Sequence, residues 1–280
     1  MIISTDIPTG TLTVRDDIPN QVYHSIASHR SRSAVHRYAG GEGGRSQRYV
    51  ETWGKSLFSG NSSTTFGSLV DGAFEAEVRG IDWRSRCAVA PPEALASDGS
   101  RRGKAFQEWK RSISADAMEC SNDDFAKVSE IMASLREHEL ASELMNAVTH
   151  SQLSVFWQNP DGFDLKARAD GCTPREWFDL KTTSSEWGDI RHSFRRFGYD
   201  WQAAWYTDSA IAAGWPPFTF RFVCVQTFAP FNVRVFKLTE SALERARQEI
   251  RDTLLAIRRR EETQEWIDPL YHTEVELDLR

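Results

Sequence analysis

The sequence predicts an α/β fold, a mixed central β-sheet flanked by helices and preceded by an N-terminal lobe of helices and loops. Three observations carry this. Between Asp123 and Thr149 apolar residues recur at helical spacing; from Leu153 the period drops to two in five separate runs; and one helical stretch divides those runs while another closes the chain. The order helix, three strands, helix, two strands, helix favours layers packed around one sheet.

A chain of 280 residues can bury a sizeable core and suits one catalytic-size unit. We read residues 1–65 as the N-terminal lobe and 66–280 as the main domain, continuous with each other. Ser, Arg and Gly are mixed through 28–65, with loop signals at GGEGG and SGNSS. FGSLVDGAFEAEV (66–78) alternates small and apolar residues, and ASDGSRRGKAFQEWK has a loop-then-helix pattern. Residues 123–149 open with capping-type acids and make one or two helices. Strands follow at 153–158, 163–170, 176–183, 218–228 and 232–238, each rich in β-branched and aromatic residues. A helix is expected from about His192 to Ala210, and a long charged one over 238–262, where RRR (258–260) is a cluster favourable to the helix dipole.

Composition narrows the function. With 40% hydrophobic and 26% charged residues, and no run of eighteen apolar ones, neither export nor membrane insertion is indicated, and a cytoplasmic protein is expected. The four cysteines form no C-x-x-C pair, so we expect reduced thiols rather than a zinc or iron–sulfur site. No H-E-x-x-H and no Walker motif is present, which removes two metal- and ATP-dependent classes. A net charge of −6 argues against coating nucleic acid by bulk charge, while leaving a locally basic cleft open. The stretch SHRSRS, with Arg30, Arg32 and Arg37 near it, suits either phosphate contacts or a solvated helix.

The chemistry concentrates in DLKARADGCTPREWFDLKTT (164–183). By strand alternation Asp179 and Lys181 share one face and Phe178 and Leu180 the other; Lys166, Arg168 and Asp170 oppose Leu165, Ala167 and Ala169. A tight turn centred on Cys172 and Thr173 pairs Asp170 with Arg175 and leaves Asp179 about 13 Å away. One metal ion could not bridge that distance. If all of 171–176 is loop, Asp170 pairs with Trp177, and Asp170 and Asp179 form a diagonal of about 7–8 Å. Two carboxylates then converge with an ammonium, a donor set that suits Mg²⁺ with phosphate and water completing its shell. Lys181 could then orient or deprotonate an attacking water, or stabilise charge on phosphorus. The competing reading is the wet face of a half-buried sheet. In the next helix Arg195, Tyr199, Gln202 and Tyr206 share a stripe able to meet phosphates, beside an apolar stripe that includes Phe194, Phe197, Trp201 and Trp205. An ordinary amphipathic helix carries the same pattern.

Taken together, KARAD (166–170), DLKTT (179–183) and YDWQAAWYTD (199–208) resemble the PD-(D/E)XK nuclease superfamily. More narrowly, with YHSIASHRSRSAVHRY, FGSLVD, GKAFQEW, SVFW and FVCVQTFAPFNVRVFKL, the chain is similar to exodeoxyribonuclease VIII-like nucleases of phages and prophages. The resemblance implies a restriction-endonuclease-like core with Asp170 and Asp179 as metal-binding acids. Leu180 would offer its carbonyl to the metal, and Lys181 would be the catalytic lysine. Gln202 and Tyr206 match a Q-x-x-x-Y motif that supports the site or touches DNA. It further implies Mg²⁺, with Mn²⁺ able to substitute, and 5′→3′ resection of linear duplex DNA for recombination in a bacterial host. The implied partners are DNA ends, a single-strand annealing protein and a homo-oligomeric ring. Two positions depart from the family pattern. Asp71 stands where a His is frequent, though it can still serve a metal or bind water, and Gln152 stands where many members have Glu. Those departures motivate the alternative of a catalytically degenerate DNA-binding or interaction protein on the same fold.

Overall fold

The period-two runs pair with one another in a single sheet. The computed structural model describes residues 6–39, 62–114, 117–215 and 219–266. Its strands are β1 (Thr13–Arg15), β2 (Arg30–Ser31), β3 (Cys87–Val89), β4 (Met118–Cys120), β5 (His150–Gln158), β6 (Asp164–Cys172), β7 (Glu176–Thr183), β8 (Thr219–Gln226) and β9 (Val233–Lys237). The large sheet runs in the order β1, β5, β6, β7, β8, β9, with β2 also paired to β6, while β3 and β4 form a small sheet of their own. Only β7–β8 and β2–β6 are parallel pairs in the large sheet; its other pairs are antiparallel. This is the mixed, mostly antiparallel sheet that the order of elements requires.

The helices are α1 (Asn20–Ser25), α2 (Arg32–Tyr38), α3 (Ser62–Val78), α4 (Lys104–Ser112), α5 (Asn122–Glu137), α6 (Glu139–Asn146), α7 (Ile190–Arg196), α8 (Tyr199–Ala212) and α9 (Glu240–Thr263). They cover both faces of the sheet. On one, Trp201 and Trp205 of α8 and Leu254 of α9 bury Val155, Ala167, Trp177 and Phe222. On the other, Phe74 of α3 and Ile131 and Leu135 of α5 bury Phe178, Leu180 and Val223. α5 starts with a reciprocal capping box between Ser121 and Asp124, which satisfies two end donors of the helix.

Several expectations change in detail. FGSLVDGAFEAEV is not an alternating segment but most of the 17-residue helix α3. Its buried Leu69, Val70, Ala73, Phe74 and Ala76 follow helical spacing once the small residues are counted as core. The helix expected over 192–210 is two helices, because Gly198 takes a left-handed conformation (φ 62°, ψ 43°) between α7 and α8. A side chain there would also meet His36 Nε2 at 2.4 Å. The break turns Phe197 outward, to 36% exposure, instead of into the core. The N-terminal residues give β1 and β2 to the large sheet, whereas GGEGG lies outside the described residues. Among the described residues no helix is long and apolar enough to cross a membrane.

Candidate functional site

The hairpin between β6 and β7 sets the site, and its register differs from both expected ones. Gly171 pairs with Phe178 and Cys172 with Trp177, two residues beyond the wide-loop register and four beyond the tight-turn one. The reason is local. Thr173 Oγ1 accepts from the N–H groups of Arg175 and Glu176, and Thr173 N–H donates to Glu176 C=O at 2.8 Å, closing a short loop of Thr173 to Glu176. Extended by one pair, this register faces Asp170 toward Asp179 directly.

The ladder does not extend there. Beyond Gly171 the strands part: β6 stays with β5, and β7 follows β8 along its whole length. Strict alternation also slips, since Ala169 and Cys172 share one core cluster although three residues apart. The slip falls between the pairs Leu153–Ala169 and Ser151–Gly171, where Gln152 takes a φ of 56°. Asp170 stays on the cleft side with Lys166 and Arg168. Its carboxylate fills the opening between the strands, accepting from Leu180 N–H at 3.0 Å and from Gln152 Nε2 at 3.2 Å.

Around Asp170 the other predicted residues assemble. Asp179, 3% exposed, accepts from Gln202 Nε2 at 2.6 Å and forms an ion pair with Lys181. Lys181 Nζ lies over the Tyr199 ring, 5.3 Å from its centre. A cleft of about 640 Å³ is lined by Asp71, Gln152, Asp170, Asp179, Lys181, Gln202 and Tyr206. Leu180 is buried beneath it.

The ionisable groups around Asp170 are strongly perturbed. Burial, then Asp179 and Asp71, raises the Asp170 carboxyl well above the carboxylate range. Burial likewise pushes Asp71 up to about 7, against the pull of Lys181 and with the help of Asp179 and Glu75. For Lys181 burial alone would favour the neutral amine, but Asp179, Tyr199 and Asp170 outweigh it and hold the ammonium. Burial raises the Tyr206 phenol, with Asp179 and Asp170 adding to it, so it stays a hydrogen-bond donor. Asp71, Asp170 and Asp179 thus gather with Lys181 in a cleft that Arg32, Arg79, Lys166 and Arg168 also line, and Gln202 Oε1 is a buried acceptor without a hydrogen-bond partner among the described residues. These oxygen acceptors fit a hard divalent cation, which takes one or two carboxylates and fills its shell with water and phosphate. Among the described residues no three carboxylate, thiol or imidazole groups already close to metal-holding distance.

The fold and this strand–strand–helix constellation agree with a family model described as a PDDEXK-like domain of unknown function (DUF3799), which matches residues 39–274. The chain belongs to that PDDEXK-like family. The crystal structure of a protein described as a "Putative exonuclease" from Eubacterium rectale shares the fold. Its TM-score is 0.63 at 19% identity, over 94% of this chain and 95% of that one. No curated protein matches the chain.

Within this PDDEXK-like chain the motif positions fall on β6 (Asp170), β7 (Asp179, Lys181) and α8 (Gln202, Tyr206). Arg195 and Tyr199 do not join them at the cleft lining. Arg195 is exposed on α7, beyond the Gly198 break, and Tyr199 is packed against Phe222 and Phe194. Other lining residues were not singled out by sequence: Glu75 and Arg79, and the segment Asp16–His24. Glu75 and Arg79 follow Asp71 at i+4 and i+8, a signal available once 66–78 is read as a helix. The wall from Asp16 to His24 is tied down through backbone carbonyls. Lys166 Nζ donates to Tyr23 C=O (2.8 Å) and Ile26 C=O (2.5 Å), and Arg168 Nη2 donates to Ile18 C=O (2.9 Å). Arg32, in the basic stretch of the N-terminal lobe, also lines the cleft.

Proposed function

We propose that the chain is a divalent-metal-dependent deoxyribonuclease, with Asp170, Asp179 and the Leu180 carbonyl as the metal-holding groups and Asp71 as an additional acid. One observation carries this reading: the buried Asp179 carboxylate, the half-buried Asp170 carboxylate and a protonated lysine from adjoining strands meet in one cleft. A bound Mg²⁺ or Mn²⁺ would supply Lewis-acid polarisation of the phosphoryl group and an acidified water.

The chain's own groups divide the remaining work. Because Asp179 keeps Lys181 charged, its role is to stabilise negative charge growing on the phosphate oxygens rather than to remove a proton. Gln202 fixes Asp179 through its amide N–H, leaving Oε1 to accept from a water or a substrate hydroxyl. Gln152, neutral where an acid is frequent, donates to Asp170 and so holds the carboxylate without adding a fourth negative charge. The resemblance stated above extends the proposal to 5′→3′ resection of linear duplex ends, with an annealing protein as partner and a ring of subunits as the assembly.

The test is digestion of end-labelled linear and circular DNA with Mg²⁺ or Mn²⁺. Shortening of the linear substrate alone supports an exonuclease, and Lys181→Ala is expected to lower turnover by at least a hundredfold while still melting cooperatively, at a temperature shifted by the loss of the Asp179 ion pair. Undiminished digestion by that variant would sink the assignment of Lys181. A folded wild-type chain that binds DNA but never cuts it would be the degenerate alternative.

A further inference from the structure

Outside the cleft, a group of arginines without an ion-pair partner among the described residues is gathered on one helix and the strand beside it. Several arginines elsewhere are matched, Arg79 with Glu75, Arg136 with Glu77, Arg221 with Glu176 and Arg251 with Asp161, while Arg111, Arg175, Arg245 and Arg259 are exposed without an ion pair among the described residues. On α7 and the neighbouring edge strand β9, Arg191, Arg195, Arg196 and Arg234 are exposed, and none forms an ion pair among the described residues. Glu186 and Asp189, in the loop entering α7, are also exposed and pair with none of them.

Two of these arginines are mounted, not merely solvated. Arg234 lies over Trp187 at 5.0 Å and Arg196 over Phe197 at 5.5 Å. Stacking of this kind fixes a guanidinium plane and leaves its N–H edge free to bond outward. Beneath, Trp187 and Phe194 both pack on Phe236, at 6.0 and 5.4 Å, so helix and strand share one aromatic base. The base also reaches the reacting groups. Phe197 stacks on Tyr199 at 5.8 Å, Tyr199 carries Lys181 over its ring, and Arg32 of the cleft donates to Phe197 C=O at 3.1 Å.

Size then says what the ridge is for. A cleft of about 640 Å³ is that of a small-molecule pocket, room for the nucleotides around one bond and not for a duplex. The rest of a DNA substrate must lie on the outer surface, and a chain of net charge −6 repels it except where cations are concentrated. We propose that Arg191, Arg195, Arg196 and Arg234 form a track for the phosphate backbone of the duplex arm outside the cleft, favouring double-stranded over short single-stranded substrates. Its link to catalysis rests on the nuclease reading; its binding of duplex does not.

The experiment uses the full chain with Arg191, Arg196 and Arg234 all changed to Gln, and fluorescence anisotropy on a labelled linear duplex in EDTA across a salt series. Each phosphate contact contributes about −0.9 to the slope of log K against log salt. The triple variant is expected to lose about 2–3 from that slope and at least tenfold in affinity, and the corresponding triple Lys variant to regain most of both. With metal, kcat/KM on duplex should fall at least about tenfold more than on a tetranucleotide, the equivalent of about 1.4 kcal/mol. An unchanged slope, equal losses on both substrates, or a wild-type chain that does not bind duplex would overturn the track. So would a variant that keeps duplex affinity but loses a salt-sensitive self-association, which would give the ridge to a second copy. If wild type binds duplex through these arginines yet cuts nothing, the track stands and the nuclease reading falls.

Discussion

Replacing Gly171 by alanine probes the joint on which the whole site depends. Gly171 faces Phe178 in the last but one pair of the β6–β7 hairpin, and a Cβ placed on it would lie 2.3 Å from Phe178 Cζ and 2.5 Å from Cε1. A ring tip can often swing away from such a contact. Here it cannot do so cheaply, because Phe178 is wholly buried and held edge-to-face by Phe74 at 5.7 Å. Overpacking of this kind costs about 1–3 kcal/mol. For a chain of 280 residues that lowers the melting temperature by roughly 2–5 °C. Because Phe178 precedes Asp179, the same displacement moves a proposed metal ligand, so activity should fall further than stability alone explains. Urea and thermal melts of Gly171→Ala, Phe178→Leu and the double variant test this. The smaller side chain should relieve the clash, giving a favourable coupling of at least about 0.5 kcal/mol. Wild-type stability in Gly171→Ala, or strict additivity in the double variant, would refute the reasoning.

Two further outcomes follow from groups at the cleft wall and floor. Burial lowers Lys166 from 10.5 to about 8, so between those values the unfolded chain holds a proton that the folded chain has lost. Stability contributed through this group should therefore rise with pH across that window, by up to about 3 kcal/mol, with the cost of the buried charge fully present below pH 8. In denaturant melts from pH 7.5 to 10 wild type should gain about 2 kcal/mol relative to Lys166→Met as pH rises; parallel curves would contradict it. Gln202→Leu strips Asp179 of its 2.6 Å donor and should cost about 1–3 kcal/mol of stability and at least tenfold in turnover, read by melting and by digestion of labelled DNA. A variant with full activity would show that Asp179 needs no such support.

Much of the fold was legible because its signals are local. The bounds of β7, Glu176–Thr183, coincide with the run EWFDLKTT, whose aromatic pair lies near one end and whose β-branched pair closes the other. The hairpin register was not legible, because it turns on the Thr173 hydroxyl closing onto Glu176 rather than on the symmetry of GCTPRE. α3 was obscured by its glycines and alanines, which look weakly apolar in sequence; Gly72, for one, sits against Met118. In the candidate site, side-chain chemistry singled out Asp170, Asp179, Lys181 and Gln202, which the fold brings to one cleft. The wall built from Asp16 to His24 gave no such mark, since Lys166 and Arg168 hold it through carbonyls that every residue possesses. Arg195 was placed with Gln202 by counting along one continuous helix, and a single left-handed glycine undid the count.

The parted strands β6 and β7 also make the sheet readable in solution. Since β5 occupies the other edge of β6 throughout, β2 must lie on the edge that β7 has left, so two half-sheets meet in a fork whose arms share only the pairs next to the hairpin loop. The next rung is half backbone and half side chain, the Leu180 amide resting on the Asp170 carboxylate. Deuterium uptake at that one amide therefore reports directly on a proposed metal ligand: it should quicken in Asp170→Ala, stay slow in Asp170→Asn, and give a label-free signal for any ion or nucleotide that reorients the carboxylate, with no need for turnover.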